Sequence, residues 1–505
     1  MQIHDEPPTI AAALTKTLVG LGEARQREFK RVSGKMVGKA LETVCALANT
    51  DGGVLVLGVA DLKEFKGPAR LFGTEENPEA VDELLRKLGT EFQPAIGAIQ
   101  LRRLACALHN GLAKGSQGHV LLVQVGRSPA VHSIVNGGTY TRLEAGNRQM
   151  TAAEVTELSY RRGVRSAASE PVPVPLGRLQ TDAWRRYAST RGLKSGDFAD
   201  QLLRIGLADE VGGAVQPKRA AVLLFADEPG SLLAAYDTRA DIRVMVYDGK
   251  AALPGATPNL RKQPMTVRGP LVDQIDAAVA LVLGELAQGL TLSGSGFKTK
   301  HVYPERVVKE AIVNAVVHRD YRLNRDIFIR IFDDRLEVES PGVFPGGITP
   351  ATIARTGSRA RNPLIAQNLR EFPVAPNIDA GEGVRMMFAE MALAKLYPPQ
   401  YRQNTDAEVE SVTVTLLNLK RPSAWDEVSD WIDREGSIAN ADLVRIAKID
   451  TLKASKLLVA WREQGLLVPL PGRAKRNMAY AKATQGAEAG SLLSRLEEDN
   501  AGAGN

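Results

Sequence analysis

Three acidic side chains near the start of the chain have the types and spacing that could hold a metal ion. Glu23 precedes a short predicted strand, Glu28 lies within that strand, and Asp61 follows the apolar run 54–59. Carboxylate oxygens are ligands that Mg²⁺ and Mn²⁺ prefer. A metal bound there could activate water and neutralise the charge that develops on an attacked phosphodiester. Glu23, Glu28 and Asp61 are therefore candidate metal ligands and candidate catalytic residues.

Basic residues surround these acids in the sequence. Lys30, Arg31 and Lys35 are the candidates for contact with a nucleic-acid backbone, because phosphate contact is mainly electrostatic. Short charged patterns also arise by chance. In the alternative interpretation these are ordinary solvated charges, and Glu28 pairs with Lys30. Spacing alone favours this alternative.

A second candidate site lies in the run 310–321. Glu310 and Asn314 are one turn apart on a predicted helix, so their side chains share a face. A carboxylate can orient water as a general base, and an amide oxygen can bind Mg²⁺ between phosphates. Asn314 is therefore also a candidate metal ligand. The alternative is a helix whose polar face is merely hydrated.

The segment 423–483 predicts a winged helix-turn-helix, because three predicted helices are followed by a predicted hairpin. The third helix, 452–464, carries Lys453 and Lys456, and the hairpin carries Arg473, Lys475 and Arg476. A recognition helix in the major groove with a basic wing on the phosphates would use these five residues. The alternative is a module for protein–protein association.

Hydrophobic periodicity predicts the elements that position these residues. Helices are predicted over 35–49, 271–286, 304–317 and 383–396, where apolar residues recur at helical spacing. Strands are predicted over 54–59, 119–125, 220–225, 242–247 and 327–332. Alternate prolines in 171–175 favour extended chain, so 166–178 is predicted to be a semi-rigid linker.

The composition excludes several classes of protein. The chain has 505 residues, a net charge of +6 and 44% apolar residues, which is typical of several globular domains. Its two cysteines lie in apolar runs, so neither a disulfide nor a structural zinc is expected. The sequence has no apolar run long enough for a membrane span and no secretory signal at its start. We therefore expect a cytoplasmic protein with no membrane partner.

The amino-terminal residues resemble the Schlafen AlbA-type core. The resemblance is carried by Glu23, by Glu28-Phe29-Lys30, and by the runs 46–53 and 57–61. In Schlafen nucleases, two glutamates before the Phe-Lys pair and an aspartate after a Gly-Val strand form a metal-dependent RNA-cutting site. The resemblance implies that role for Glu23, Glu28 and Asp61. Schlafen nucleases join two such lobes, so one lobe per chain implies a homodimer or a higher homo-oligomer.

The span 303–401 resembles the GHKL-related module of RecG-related transcriptional regulators, and Glu310 and Asn314 match the N-box of GHKL ATPases. The resemblance implies an ATP site. In that site Ser340 and Gly342 form the turn that reads adenine, and Gly381 and Gly383 belong to a glycine loop before a helix, whose free amides suit phosphate. GHKL enzymes have an aspartate where this chain has Ser340, which accepts a hydrogen bond without charge assistance. ATP binding is therefore expected more than ATP turnover.

These observations together predict an α/β (α+β) multidomain protein. The expected parts are a Schlafen AlbA-like lobe (1–165), a linker (166–178), an α/β middle region (179–300), a GHKL-like α/β sandwich (301–420), a winged helix-turn-helix (423–483) and a disordered tail (484–505). The expected function is hydrolysis of RNA or DNA with Mg²⁺ or Mn²⁺, controlled by the ATP-binding module. The alternative is a non-catalytic DNA-binding transcriptional regulator with a degenerate ATP-sensing module.

Overall fold

In the computed structural model of this chain, the described residues are 2–33, 35–97, 99–111, 113–193, 196–253, 258–293, 296–356, 359–376, 382–406, 409–422, 424–470 and 478–483. The chain divides into two compact units, Met1–Val164 and Arg165–Ala489. Both units combine helices with β-sheets. The predicted α+β multidomain class is confirmed.

The first unit begins with alternating strands and helices and continues with a run of strands before its last helix. Its helices are α1 (Pro8–Leu18), α2 (Met36–Asn49), α3 (Pro78–Thr90) and α4 (Ala152–Arg161). Its strands are β1 (Ile3–Asp5), β2 (Arg27–Lys30), β3 (Gly53–Leu57), β4 (Phe92–Gln93), β5 (Ile99–Ala107), β6 (Gln117–Val125), β7 (Ser133–Ile134), β8 (Tyr140–Arg142) and β9 (Asn147–Gln149). Asn77 and Thr151 fix the starts of α3 and α4, because their side chains accept hydrogen bonds from free backbone amides of the first turn.

A five-stranded sheet lies at the centre of this unit, in the order β1-β5-β6-β3-β2. β2 and β3 run parallel, with Glu28 opposite Leu55. Parallel strands end at the same edge of a sheet. The topology therefore brings Asp61, which follows β3, to the edge where β2 ends.

This sheet is buried on both faces. Leu55 and Leu57 pack in a core with α2 and α3, whereas Val54 and Val56 pack with α1 and Phe29 on the opposite face. Successive side chains of a strand point to opposite faces. An uninterrupted apolar strand such as β3 is therefore what a sheet covered on both faces requires.

The second unit contains the remaining elements. Its helices are α5 (Asp182–Arg191), α6 (Phe198–Arg204), α7 (Arg219–Phe225), α8 (Pro229–Leu233), α9 (Leu271–Glu285), α10 (Glu305–His318), α11 (Pro363–Leu369), α12 (Gly383–Leu393), α13 (Trp425–Glu435), α14 (Asn440–Ala447) and α15 (Thr451–Glu463). Its strands are β10 (Ala208–Val211), β11 (Ala214–Pro217), β12 (Ile242–Val246), β13 (Met265–Val267), β14 (Ala287–Ser293), β15 (Gly296–His301), β16 (Ile327–Ile331), β17 (Arg335–Pro341), β18 (Gln400–Asn404), β19 (Ser411–Leu417), β20 (Ile438–Ala439), β21 (Leu467–Pro469) and β22 (Ala479–Lys482).

A six-stranded sheet organises the second unit, in the order β13-β12-β16-β17-β19-β18. β12 and β16 are parallel, and the other pairs are antiparallel. Val244, Ile329 and Val338 alternate with half-buried residues along their strands and pack in one core with Ile312 of α10 and Met387 of α12. The sheet and these helices therefore hold α10 and β17 side by side, as the candidate nucleotide site requires.

The strand predicted over 220–225 is wrong, because the structure has helix α7 there. All seven side chains of α7 are buried. A run that is apolar on every side has no period that distinguishes a strand from a helix.

The predicted linker 166–178 is not a free spacer. Ala167, Ala168, Val172 and Val174 are buried in the main core of the second unit, and Ser166 Oγ donates to Asn362 Oδ1 at 2.8 Å. The residues between the prolines are apolar, and Val172 and Val174 pack in the core. The segment therefore belongs to the second unit.

The carboxy-terminal part of the second unit contains α13, α14 and α15 with a three-stranded sheet in the order β20-β22-β21. Trp425, Val428 and Ile432 are buried on one face of α13. Asp450 caps α15 by accepting from Lys453 N at 2.9 Å. The winged-helix interpretation of these elements stays a prediction, and residues 471–477, which include the predicted turn at Pro471-Gly472, and the predicted tail lie outside the described residues.

Among the described residues, no helix is both long and apolar enough to cross a membrane.

Candidate functional site

A cavity of about 580 Å³ opens beside helix α10 in the second unit. Its lining includes Glu310, Asn314 and His318, which lie at successive turns of that helix. Asn314 Nδ2 donates to Glu310 Oε1 at 2.9 Å, so the structure brings the predicted pair together. This bond uses the amide nitrogen of Asn314, and its amide oxygen is the atom left for a cation. The cavity volume lies within the range of small-molecule sites.

Strand β17 forms a second part of the lining with Ser340 and Gly342. Ser340 Oγ donates to Ala315 O at 2.7 Å. Because its proton is used within the protein, the hydroxyl of Ser340 is left to act toward the cavity as an acceptor. A neutral acceptor binds more weakly than a carboxylate at the same position.

Gly342 is needed at the end of β17 for two reasons. Its φ is 103°, a conformation that residues with a side chain rarely adopt, and an added Cβ would lie 2.8 Å from Asp320 Cβ. Asp320 is buried, its carboxylate pairs with Arg322 at 2.7 Å and with Arg361 at 3.4 Å, and its backbone N donates to Pro341 O at 2.8 Å. The run His318-Arg319-Asp320 thus supports the cavity wall.

The start of helix α12 meets the carboxylate of Glu310. A Cβ built on Gly383 would lie 1.7 Å from Glu310 Oε1, so only glycine fits there without moving the glutamate. Burial raises the pKa of the Glu310 carboxyl, and the hydrogen bond from Asn314 opposes that shift. Gly381 lies outside the described residues.

His318 offers an uncharged ring to this cavity at neutral pH. Burial, and then the charge of Arg361, lower the pKa of His318 to about 4. The backbone N of Arg361 donates to His318 Nδ1 at 3.5 Å, which places the acceptor nitrogen on that side of the ring.

Sequence reasoning missed four cations that line the cavity, Arg306, Lys309, Arg359 and Arg385. Arg306 precedes Glu310 by one helical turn, so its position beside the cavity could have been predicted from this spacing. Arg359 and Arg385 come from other elements, and nothing local to their sequence points to the cavity. Cations beside an amide and a carboxylate suit a ligand that carries phosphates.

In the first unit, Glu23 lies close enough to Glu28 and Asp61 for their charges to act on it. Burial, and then the charges of Glu28 and Asp61, raise the pKa of Glu23. Glu23 Oε1 accepts from Phe29 N at 3.4 Å, and Asp61 Oδ1 accepts from Lys63 N at 3.2 Å. The edge of the sheet therefore places Glu23 within electrostatic range of Glu28 and Asp61.

Glu28 is held by two cations. Lys30 Nζ lies 2.7 Å from its Oε1, and Arg142 Nη2 lies 2.6 Å from its Oε2. Oε2 is buried and has no hydrogen bond of good geometry despite this ion pair. Within the described residues, no three His, Cys, Asp or Glu side chains are grouped as a metal-binding cluster. As arranged here, the acids do not fit a metal ion unless Lys30 and Arg142 move.

Arg142, at the end of β8, was missed by the sequence analysis and organises this site. Its side chain is fully buried. Besides the ion pair with Glu28, it donates hydrogen bonds to four acceptors: Ala24 O, Arg25 O, Arg27 O and Asn147 Oδ1. It therefore fixes the turn before β2, and with it the position of Glu28.

The predicted nucleic-acid contacts differ in their availability. Lys30 pairs with Glu28, and Arg31 pairs with Glu76 and stacks on Phe72 at 4.1 Å. Lys35 is exposed at the start of α2, and Lys453 and Lys456 are exposed on α15. Arg473, Lys475 and Arg476 lie outside the described residues.

Comparisons with known families match two parts of the chain. Residues 23–151 match the family described as Schlafen, AlbA_2, and residues 324–416 match the family described as "Putative ATP-dependent DNA helicase recG C-terminal". The first match contains Glu23, Glu28 and Asp61. The second begins after α10, so Glu310 and Asn314 precede it. These matches support nucleic-acid binding by the first unit and ATP binding by the second, and they indicate a function related to nucleic acid.

No curated protein matches the chain. Among solved structures, the crystal structure of the DIP2311 protein from Corynebacterium diphtheriae is similar to this chain, with 19% sequence identity and a TM-score of 0.38. The similarity covers 97% of this chain and 98% of the other.

Proposed function

We propose that this protein binds nucleic acid and that a nucleotide bound beside α10 controls the binding. The observation that carries the proposal is the cavity in which Glu310 and Asn314 face the turn of Ser340 and Gly342. The match of residues 23–151 to the Schlafen AlbA_2 family supports nucleic acid as the partner.

The lining divides into parts that suit different parts of a nucleotide. Ser340 supplies a neutral acceptor on β17, which suits an amino group of a base. Asn314 supplies an amide oxygen and Lys309 a cation, which suit Mg²⁺ and phosphates. Because Ser340 lacks the charge of an aspartate, we propose binding of ATP and not rapid turnover.

The carboxy-terminal helices contact the same strand that lines the cavity. Tyr401 of β18 lines the cavity, and its neighbour Gln400 donates to Gln464 O at the end of α15 at 3.4 Å. Trp461 Nε1 of α15 donates to Tyr397 OH at 2.9 Å in a buried contact. Occupation of the cavity would bias β18 and thereby α15, which is the physical basis for control.

Replacing Asn314 with alanine is expected to weaken the binding of a non-hydrolysable ATP analogue by tenfold or more, since hydrogen bonds to charged groups contribute about 1.5–3 kcal/mol. Isothermal titration calorimetry in the presence of Mg²⁺ measures the dissociation constant of the analogue. Asn324→Ala, on an exposed loop of the same unit, is the matched control. The four tryptophans, Trp184, Trp425, Trp431 and Trp461, all lie in the second unit, so their fluorescence reports whether it stays folded. Equal affinity in both variants and the wild type would refute the assignment.

A second candidate function is metal-dependent cleavage of RNA or DNA at Glu23, Glu28 and Asp61. The repulsion of Glu23 by Glu28 and Asp61 supports it, because such repulsion favours a bound cation. The ion pairs of Glu28 with Lys30 and Arg142 oppose it. Cleavage therefore requires that these two cations release Glu28.

Under this second candidate, Mn²⁺-dependent cleavage of tRNA, single-stranded RNA or DNA is expected to fall about 100-fold or more in Glu28→Gln, since metal-assisted chemistry depends on each ligand. Glu64→Ala is the control, because Glu64 is exposed and lies three residues after Asp61 in the sequence. This variant should cleave as the wild type does. Gel electrophoresis of labelled substrates measures the rates. Cleavage that persists in Glu28→Gln comes from a contaminant or another site, and the candidate is then discarded.

A further inference from the structure

An arginine in the first unit is buried without a carboxylate partner. Arg162, which follows α4, is 2% exposed. Its Nη2 donates to Asn49 O at 2.8 Å and to Thr50 O at 3.0 Å, at the end of α2. Its Nε and Nη1 are buried and have no hydrogen-bond partner in the described part of the chain. A buried charge whose N–H groups lack partners is destabilising, so this cation is suited to an anion.

A second arginine lies beside it on the other side of the same turn. Arg127, in the loop after β6, is an exposed residue, although burial lowers the pKa of its guanidinium. Among the described residues, Asp51 and Arg161 act on this charge without a hydrogen bond to it. The loop is held in place, because Ser128 N donates to Ala48 O at 3.0 Å. Gly52 packs so closely on it that an added Cβ would lie 2.8 Å from Arg127 N. The backbone of Arg127 is therefore fixed against the turn that Arg162 contacts.

The charges in this region do not balance. Burial, and then the charge of Arg127, lower the pKa of Arg162 to about 10, so the two guanidinium groups repel each other. Asp51 opposes this repulsion, but Arg25 Nε lies 2.7 Å from its Oδ2 and shares its charge. Arg162 is already within electrostatic range of Arg127. The negative charge of an anion bound to Arg127 would therefore also act on Arg162.

We propose that Arg127 and Arg162, at the turn after α2, form a phosphate site that is taken by a backbone phosphate of the nucleic acid. Arg127 would make the direct contact, since it is the more exposed of the two residues and a guanidinium matches the geometry of phosphate oxygens. Arg162 would stabilise the bound charge from beneath the surface. This inference deepens the proposed function and rests on it for the source of the phosphate.

Two probes separate the site from its ligand. The first is inorganic phosphate added to the full chain, compared with chloride at equal ionic strength, with the unfolding midpoint of the first unit followed by hydrogen–deuterium exchange of its peptides. A ligand that binds the folded state raises this midpoint. The second probe is a fluorescein-labelled single-stranded oligonucleotide, followed by anisotropy over a series of salt concentrations.

Arg127→Ala is expected to abolish the stabilisation by phosphate and to weaken oligonucleotide binding by about 3- to 10-fold, with the salt slope reduced by about one, as for the loss of one phosphate contact. The exposed Arg86→Ala on α3 is the matched control and should behave as the wild type does. The salt slope distinguishes a lost phosphate contact from a change in folding.

Each other outcome decides one of the two claims. Oligonucleotide binding and phosphate stabilisation that are both unchanged in Arg127→Ala overturn the phosphate site and leave the proposed function standing. Phosphate stabilisation that depends on Arg127 in a protein that binds no nucleic acid keeps the site, assigns it to a free phosphate, and overturns the proposed function. An effect of Arg127→Ala on the oligonucleotide alone assigns the site to a phosphodiester.

Discussion

Replacing Arg142 with methionine is expected to lower the free energy of unfolding of the first unit by about 3–5 kcal/mol, the usual range when one partner of a buried ion pair is removed. The substitution leaves Glu28 buried beside Lys30 alone. It also removes one donor from each of three backbone carbonyls in the turn 24–27, of which Ala24 O and Arg27 O keep a backbone donor. Each buried acceptor that loses its partner adds to the loss.

Hydrogen–deuterium exchange of peptides from β2 and β8 measures this change in the first unit, which contains no tryptophan. Arg148→Met is the matched control, because Arg148 lies on the neighbouring strand β9 and pairs with Glu154 at the surface. A surface ion pair contributes about 1 kcal/mol or less. Equal losses in the two variants would contradict the organising role of Arg142.

A double-mutant cycle with Glu28→Gln separates the ion pair from the carbonyl contacts. If the ion pair contributes, the double variant is destabilised by less than the sum of the two single variants, with a coupling of about 0.5–3 kcal/mol. Strict additivity would assign the whole effect of Arg142 to the turn.

Replacing Gly383 with alanine is expected to weaken ATP-analogue binding by tenfold or more without unfolding the second unit. The added Cβ would lie 1.7 Å from Glu310 Oε1. Either Glu310 leaves its hydrogen bond with Asn314 or the start of α12 moves outward. Both adjustments displace groups that line the cavity, and loss of a charge-assisted hydrogen bond of about 1.5–3 kcal/mol accounts for the expected factor.

The matched control is Gly284→Ala, which places the same substitution in helix α9 of the same unit. A Cβ at Gly284 meets no atom within 4 Å. Alanine in a helix stabilises by about 0.5–1 kcal/mol relative to glycine, so the control should be at least as stable as the wild type. Wild-type affinity in Gly383→Ala would show that the contact of α12 with Glu310 has no role in binding.

Local patterns predicted the elements and not the contacts between them. Helix α10 followed from its apolar spacing, and the pairing of Glu310 with Asn314 followed from one helical turn. The contact of Gly383 with Glu310, and that of Arg142 with Glu28, join residues far apart in the chain. Only the packing of the sheets brings them together, so no local signal announces them.

The mistaken strand at 220–225 and the packed segment 166–178 have a common physical cause. In each case the residue types indicated a local backbone conformation. They did not indicate which other parts of the fold the segment packs against. Val172 and Val174 lie between prolines, yet they are buried in the core of the second unit. Tertiary packing overrides such local preferences when apolar side chains are available to be buried.

The most direct test of nucleotide control is the affinity for a labelled nucleic acid measured with and without a non-hydrolysable ATP analogue and Mg²⁺. We predict that the analogue changes the dissociation constant by about fivefold or more in the wild type, which corresponds to the usual coupling of about 1–3 kcal/mol between linked sites. The change should vanish in Asn314→Ala. A wild-type protein that binds the analogue by calorimetry, yet has the same dissociation constant for nucleic acid in its presence and absence, would contradict nucleotide control.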